Sequence, residues 1–257
     1  MIMNAKTTKK YWEYARTPPP RMRLPSGILV GTRNIQRLLK SHIKPGMQVL
    51  EIGCAPGKIL AWIAKILRAE VSGIDFSSHG IDHAGRLFRH LGISANLRCE
   101  DVFETSFAEG SFACVFSFGL IEHFNDPKKL VEIHVKLLKP GGKALIVVPN
   151  LAGIYGRLQR YLDPDVLALH NLDIMSPSAL VALAPMHLVR DVRAYPFGRP
   201  SPMFNPDKVA PRWLGRASTL FLNVIGHLQP FDIEAFCPFL VLEILGKSGS
   251  HENRGLR

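Results

Sequence analysis

Short apolar runs alternate with amphipathic segments through the first two thirds of the chain. Runs of four to six residues without helical periodicity predict buried strands, and segments with apolar positions every three or four residues predict helices. Predicted strands cover residues 47–52, 71–74, 94–99, 112–117 and 144–148, and the helices between them are predicted near 59–67, 79–91 and 127–138. Strands that alternate with helices of this length predict an α/β fold with a doubly wound, mostly parallel sheet.

The flanking regions are less regular. A helix capped by Thr32 is predicted over residues 35–43, and residues 149–175 are predicted to form a long connection. A helix near 177–184, a strand over 188–195, a proline-rich loop over 196–211, an amphipathic helix over 213–228 and a last strand over 239–245 complete the predicted elements.

The turn after the first strand suggests a nucleoside site. The strand breaks at Gly53, the turn ends at Gly57 and a helix follows, so backbone N–H groups are expected to face a ligand with negative charge or lone pairs. Asp75 ends the second strand, where an acid can bind ribose hydroxyls. The dinucleotide pattern G-x-G-x-x-G is absent, because Ala55 and Lys58 occupy two of its glycine positions.

The pattern Glu51-x-Gly53-x-x-x-Gly57 resembles motif I of the class I S-adenosylmethionine-dependent methyltransferases. The resemblance spans roughly residues 30 to 195. It continues through Gly73-Ile74-Asp75-Phe76-Ser77, Glu100-Asp101-Val102, Gly119-Leu120-Ile121-Glu122-His123-Phe124 and Leu137-Leu138-Lys139-Pro140-Gly141-Gly142. It implies a seven-stranded Rossmann-like sheet with an antiparallel last strand, a helical insertion and the cofactor S-adenosyl-L-methionine. Ala55 departs from the family pattern, in which many members have a middle glycine.

The resemblance also implies roles for individual residues. Asp75 would bind the ribose, Phe76 would flank the adenine ring, and Asp101 with the Val102 N–H would contact the adenine edge. The methionine part would contact the backbone or side chains of Glu51, Gly53, Cys54, Ala55, Gly57, Gly119 and Leu120.

The candidates for a catalytic base are His123, Glu122 and His170. A base is needed only if the acceptor must lose a proton. Residues 119–124 and 150–170 resemble the methyltransferases of ubiquinone biosynthesis, some of which have an E-x-x-E-H metal site. Gly119 replaces the first acid here, and two adjacent ligands make a poor divalent site, so no metal is expected.

Composition bears on the cellular compartment and on the class of binding partner. The four cysteines form no C-x-x-C pair, no signal peptide precedes the first strand and no apolar run could span a bilayer, so a reduced, cytoplasmic protein is expected. The net charge of +11 favours an anionic substrate, a nucleic acid or an anionic membrane surface. It is scattered, which is also typical of a solvated basic surface.

Three regions are expected. Residues 1–30 form an N-terminal extension that either covers the active site as a lid or is a packed or disordered tail. Residues 31–247 form the methyltransferase domain, with acceptor-side insertions at 149–175 and 196–236, and 248–257 form a disordered tail. The 213–228 helix either buries its apolar stripe in the core, shapes an acceptor pocket or rests on a membrane.

The function expected is methyl transfer to a small acceptor, apolar or anionic, most readily at oxygen. An RNA or protein methyltransferase is an alternative because of the charge, although the Asn/Asp-Pro-Pro-Tyr/Phe signature of base methylation is replaced by Ser117-Phe118-Gly119-Leu120. A cofactor-binding protein without catalysis is the second alternative. The sequence gives no oligomeric state and no strong nucleic-acid signal.

Overall fold

In the computed structural model the described residues are 5–7, 12, 22–203, 206–209 and 211–248. Most of the N-terminal extension and nearly all of the expected disordered tail therefore lie outside the described residues. Seven strands form one sheet: β1 Gln48–Ile52, β2 Glu70–Asp75, β3 Asn96–Cys99, β4 Phe112–Phe118, β5 Leu138–Pro149, β6 Val189–Phe197 and β7 Phe239–Gly246. The α-helices are α1 Val30–His42, α2 Lys58–Trp62, α3 Ser78–Leu91, α4 Lys128–Lys136, α5 Ile154–Leu162, α6 Pro164–Ala168, α7 Pro177–Val181 and α8 Arg212–Leu228.

The sheet has the order β3-β2-β1-β4-β5-β7-β6. β1 to β5 are parallel to their neighbours, whereas β7 is antiparallel to both β5 and β6. The predicted sheet, with its antiparallel last strand and helical insertion, is confirmed. Since β7 alone reverses direction, β6 runs parallel to β5.

Apolar residues cover both faces of the sheet. Neighbouring strand residues such as Leu50 and Val49 point to opposite faces and enter two different hydrophobic clusters. One cluster contains Leu130 and Val131 of α4, and the other contains Leu87 of α3. This two-sided burial explains why the strands have continuous apolar runs rather than alternating ones.

Several local predictions are wrong. Thr32 does not cap α1, which begins at Val30, whose N–H is bound by the Asn223 side chain from α8. The 149–175 connection contains the helices α5 and α6. Within the helix predicted near 59–67, residues Ile63–Leu67 adopt a π-helix.

Burial of the α8 stripe is also contradicted. Gly215 and Gly226 are its buried residues, and the apolar side chains point outward. Cys99, expected in or beside a buried strand, is exposed on the edge strand β3. Within the described residues, no helix is both long and apolar enough to cross a membrane.

Both insertions leave the sheet at the same edge. Residues 150–188 follow the carboxyl end of β5 and residues 198–238 follow that of β6, which runs in the same direction. Ligands of open α/β sheets bind outside the carboxyl ends of the strands. The insertions therefore lie at the edge where the site is expected.

Candidate active site

A cavity opens at the carboxyl ends of β1, β2 and β4. Its lining is Trp12, Ile52, Gly53, Ala55, Pro56, Ile74, Asp75, Phe76, Ser77, His79, Gly80, His83, Glu100, Asp101, Val102, Phe103, Phe118, Gly119, Leu120 and Phe124. The lining contains three carboxylates and, among the described residues, no lysine or arginine, although the chain has 32 basic and 21 acidic residues. A pyrophosphate is normally held with help from cations or free N–H groups, so this cavity favours a ligand rich in hydroxyls and positive charge.

Asp75 connects the first two strand ends. Its Oδ2 accepts a hydrogen bond from the Ala55 N–H at 3.0 Å, and its Oδ1 accepts one from the Ser77 N–H at 2.9 Å. The helix cap at this position is Ser77, whose hydroxyl accepts from the Gly80 N–H. Ser77 rather than Asp75 therefore caps α3, and the two backbone bonds fix the orientation of the Asp75 carboxylate at the cavity wall.

The turn after β1 differs from the expected anion cradle. The Gly53 and Cys54 N–H groups donate to the Ile74 carbonyl, the Ala55 N–H to Asp75 and the Gly57 N–H to the Cys54 carbonyl. These four donors are used within the protein, so the expectation that they face the ligand is wrong. Such a turn offers carbonyl oxygens, which suit an ammonium group.

Glycines are required where the turn meets α3. Gly57 has φ +83°, and a Cβ there would lie 2.7 Å from the Ala84 Cβ. A Cβ on Gly80 would lie 2.5 Å from the Ala55 Cβ. The Ala55 methyl group is thus accommodated against Gly80, which explains how the turn tolerates alanine at this position.

Eight of the eleven predicted cofactor residues line the cavity: Gly53, Ala55, Asp75, Phe76, Asp101, Val102, Gly119 and Leu120. Glu51 and Cys54 line a neighbouring cavity on the α1 side of the turn, where both side chains are buried. Gly57 lines neither cavity and packs against Ala84 of α3.

Asp101 stands at the end of β3 in the predicted place. Its Oδ1 accepts from the Phe103 N–H at 3.0 Å and caps the short 3-10 helix Val102–Glu104. The bond holds the carboxylate beside the Val102 backbone at the cavity wall.

The base candidates form a separate cluster. His123 and His170 have ring centroids 4.8 Å apart, and one ligand atom from each of Glu122, His123 and His170 lies within 4.8 Å of the others. None of the three lines the cofactor cavity. The edge of Trp12, which does line it, packs against His123 with centroids 4.9 Å apart.

In the fold, His170 comes close to Glu122 and His123, the two possible metal ligands that the sequence indicated. The premise that only Glu122 and His123 are available is therefore wrong, since His170 joins them through the β5–α7 connection. The expectation of no metal stays a prediction.

Burial keeps this cluster neutral. It lowers the pKa of His123 to about 4, helped by His170 and opposed by the bond to the Leu169 carbonyl, and it raises the pKa of Glu122 to about 8. Burial also lowers the pKa of His170. Because carbonyl oxygens only accept, His123 Nδ1, 3.0 Å from the Leu169 oxygen, must carry the proton, which leaves Nε2 as the basic atom.

Sequence reasoning missed part of the lining. Phe103 and Phe118 adjoin residues of the motifs, and Phe124 ends one of them, so all three could have been found from the motifs. No pattern in the sequence indicates Trp12, which is brought here by the N-terminal segment. Ala5 pairs with Phe124, and the Lys6 N–H donates to the His123 carbonyl at 2.7 Å.

Residues 49–142 match a protein family described as "Methyltransferase domain". The chain carries a class I S-adenosylmethionine-dependent methyltransferase domain. The expected cofactor, S-adenosyl-L-methionine, is thereby confirmed. The cation-free cavity and the fixed Asp75 suit its sulfonium and ribose groups.

Curated relatives of this methyltransferase domain act on different atoms. Phosphoethanolamine N-methyltransferase 1 of Arabidopsis thaliana is 36% identical over 109 residues, which are 42% of this chain and 22% of that protein. A ubiquinone biosynthesis O-methyltransferase of Coxiella burnetii is 32% identical over 105 residues, 41% of this chain and 44% of that protein. The chain thus spans about a fifth to a half of the length of the curated relatives that it matches.

Solved structures share the methyltransferase fold over most of the chain. Phosphoethanolamine N-methyltransferase 2 of Haemonchus contortus, with S-adenosyl-L-methionine, aligns with TM-score 0.58 and 20% identity, covering 85% of this chain and 53% of that one. A geranyl diphosphate C-methyltransferase from Streptomyces coelicolor, with Mg2+ and S-adenosyl-L-homocysteine, aligns with TM-score 0.54 and 17% identity, covering 85% and 79%. At these identities the likeness shows the fold alone.

Proposed function

We propose that the chain transfers a methyl group from S-adenosyl-L-methionine to a small apolar acceptor, and that the methylated atom is an oxygen. The observation that carries the proposal is the acidic cavity at the carboxyl ends of the strands, whose described lining has no lysine or arginine and has Asp75 fixed at its wall. When bound, the cofactor supplies an electrophilic methyl group on a positively charged sulfur.

The residues of the chain then bind and orient. We assign Asp75 to the ribose hydroxyls and Asp101 with the Val102 N–H to the adenine edge. Phe76 flanks the adenine ring. Carbonyl oxygens of the turn that follows β1 receive the ammonium group, since the turn's own N–H donors are already bound. Methyl transfer is a displacement in line with the sulfur, so alignment of the acceptor supplies much of the rate.

The acceptor side is aromatic. Trp12, Phe103, Phe118 and Phe124 border the cavity beyond the predicted cofactor residues. The described part of the N-terminal segment lies over this side, because Lys6 also donates from Nζ to the His170 carbonyl at 3.1 Å. We assign this segment the role of a lid that helps to exclude water from the acceptor.

Oxygen is favoured by the neutral histidine pair. An alcohol or phenol must lose its proton during methylation, and His123 has an unprotonated Nε2 at neutral pH. Trp12 lines the cavity and His123 packs behind it, so Trp12 must shift before His123 can take a proton directly from the acceptor. We assign His123 as the catalytic base. His170 lies beside it, and we assign the neutral Glu122 the role of helping to exclude water.

The test has two parts on the full chain. Calorimetry with S-adenosyl-L-homocysteine measures cofactor binding, and transfer of a labelled methyl group is followed with phenols, carboxylates, fatty acids and sugar nucleotides. Binding together with transfer to an oxygen acceptor is expected. Binding without transfer to any acceptor, RNA and protein included, would favour a non-catalytic protein, and absence of binding would refute the proposal.

RNA is the control acceptor in this screen. RNA or protein methylation remains the alternative because of the net charge, but the part of the cavity lining that the structure describes has no lysine or arginine to bind phosphates near the reacting atom. Transfer to RNA that falls steeply with added salt would overturn the small-molecule proposal.

A further inference from the structure

Helix α8 is folded with its apolar side toward solvent. Trp213, Leu220, Phe221, Val224 and Leu228 recur at helical spacing, and their exposed fractions are 68, 67, 63, 47 and 76%. An amphipathic helix normally places such a stripe against the core. Here one helix leaves five large apolar side chains without cover from the described residues.

The opposite side of α8 holds it in this orientation. A Cβ on Gly226 would collide with the Pro200 carbonyl oxygen and would lie 2.8 Å from Val30 Cγ1, and a Cβ on Gly215 would collide with the Pro206 carbonyl oxygen. The Asn223 side chain on this side accepts from the Val30 N–H at 2.9 Å. Glycines that allow such close backbone contact fix which side faces out, so the exposed stripe follows from the packing.

More exposed apolar residues stand on both sides of this contact. Ile28 and Leu29, which precede Val30, are 76 and 57% exposed. Phe231, Ile233 and Phe236, in the segment after α8, are 63, 39 and 43% exposed. We call the stripe and these five residues the outer apolar surface. Apolar side chains exposed in such number on neighbouring segments mark a site of interaction.

The charges beside it are positive. Arg33, Arg37, Lys40 and Arg199 line a cavity along the outer side of α1. This cavity adjoins the segment after α8, because Arg199 donates to the Pro230 carbonyl at 3.2 Å and Arg37 forms an ion pair with Asp232. Arg212 and Arg216 add two exposed cations at the start of α8.

Acids are scarce in these segments. The sequence has no aspartate or glutamate at positions 14–50 or 208–231; in the segment after α8, Asp232 is paired with Arg37 and Glu234 is the other acid. A protein partner with an apolar surface would not need this charge bias. A bilayer with anionic headgroups matches both the apolar residues and the cations, because apolar side chains enter the acyl boundary while nearby lysines and arginines are attracted to the anionic surface.

We propose that the outer apolar surface docks on an anionic phospholipid bilayer, with the cavity of Arg33, Arg37, Lys40 and Arg199 receiving lipid phosphates. α8 would lie in the plane of the interface. Since the insertion that contains α8 leaves the sheet at the carboxyl end of β6, docking would turn the edge that holds the active site toward the membrane. The proposal is independent of the methyltransferase activity.

Vesicle flotation of the full chain tests it. Binding to phosphatidylcholine vesicles with 30% phosphatidylglycerol is expected, with at least tenfold weaker binding to pure phosphatidylcholine and at 0.5 M salt. The double variant Leu220→Ser/Phe221→Ser and the charge variant Arg33→Gln/Lys40→Gln should each lose at least tenfold. Met186→Ser and Ile66→Ser, which change apolar residues 62 and 50% exposed elsewhere, should bind as the parent does.

Two further measurements separate docking from other causes. Tryptophan emission should shift to the blue on vesicles in the parent chain and not in Trp213→Phe. Sedimentation velocity without lipid should give a monomer. Failure to bind either vesicle would overturn the proposal, as would a dimer that Leu220→Ser/Phe221→Ser dissociates, since a second copy would then be the occupant.

Discussion

The carboxylate of Asp75 lies 3.0 Å from the backbone nitrogen of Ala55, so the acid that ends the second strand also holds the turn that follows the first. One residue thereby joins two parts of the cofactor site. Its orientation is set before any ligand arrives, which reduces the entropy cost of binding.

Replacing Asp75 by Asn should weaken cofactor binding. The amide loses the charge that strengthens hydrogen bonds from ribose, at about 1.5–3 kcal/mol for a bond to a charged group, and its NH2 group cannot accept one of the two backbone bonds from Ala55 and Ser77. Calorimetry should show the dissociation constant of S-adenosyl-L-homocysteine rising by about 10- to 100-fold. The control is Asp82→Asn on the exposed side of α3, which should bind normally. Equal affinity in both variants would remove Asp75 from the site.

His123→Asn should lower the turnover rate with little change in cofactor affinity. Asparagine can still donate to the Leu169 carbonyl but has no basic nitrogen, and a positioned base contributes about 10²–10⁴-fold. Since burial lowers the pKa of His123 to about 4, the parent rate should stay level between about pH 5.5 and 8 rather than fall below pH 6.5. The exposed His90→Asn is the control. A rate that falls through pH 6.5, or an active His123→Asn, would contradict the assignment.

Glu122→Gln should change the dependence of stability on pH. Burial raises the pKa of Glu122 to about 8, so the folded form holds a proton that the unfolded chain loses near pH 4.5. Glu122 therefore contributes stability that is lost as pH rises from 4.5 to 8, by on the order of a few kcal/mol, and the variant lacks this contribution. Urea unfolding at pH 5 and pH 8 measures this. If the two proteins keep a constant difference in the free energy of unfolding, Glu122 is not neutral when folded.

Glu243→Gln should destabilise the last strands. Burial raises the pKa of Glu243, but hydrogen bonds from His42, Lys143 and Arg193 outweigh it and the net pKa is lowered. The contribution of Glu243 to the free energy of unfolding is therefore present above about pH 4.5 and is lost as pH falls further. The variant should unfold with a free energy lower by on the order of 2 kcal/mol at pH 7, less at pH 3. Glu70→Gln on the exposed end of β2 is the control.

Gly57→Ala and Gly92→Ala form a matched pair. Both glycines have positive φ, but a Cβ on Gly57 meets Ala84 at 2.7 Å and one on Gly92 meets nothing within 4 Å. Gly92→Ala should cost only the backbone strain of about 1–2 kcal/mol, and Gly57→Ala about 1–3 kcal/mol more. Thermal unfolding of both variants compares them. Equal losses would mean that α3 moves freely away from the turn.

The sequence was informative where local chemistry decides the structure. The positions of Asp75 and Asp101 at strand ends follow from the strand periodicity and the motifs, and the structure places both at the cavity. The N–H groups of the turn were misjudged because their partners, Ile74 and Asp75, come from another strand.

Longer-range features could not be predicted from single segments. The periodicity of α8 is the same whether its stripe faces inward or outward, and the choice depends on the contacts of Gly226 with Pro200 and Val30. His170 reaches His123 only because two helices fold the connection after β5 back over β4.

Both insertions begin where a strand has already ended, so their sequences can drift without disturbing a single pairing of the sheet. Asp75 is held by Ala55 and Ser77, which lie outside 150–188 and 198–238. A chimera that exchanges these two segments with those of a related chain should therefore still bind S-adenosyl-L-methionine but methylate a different acceptor.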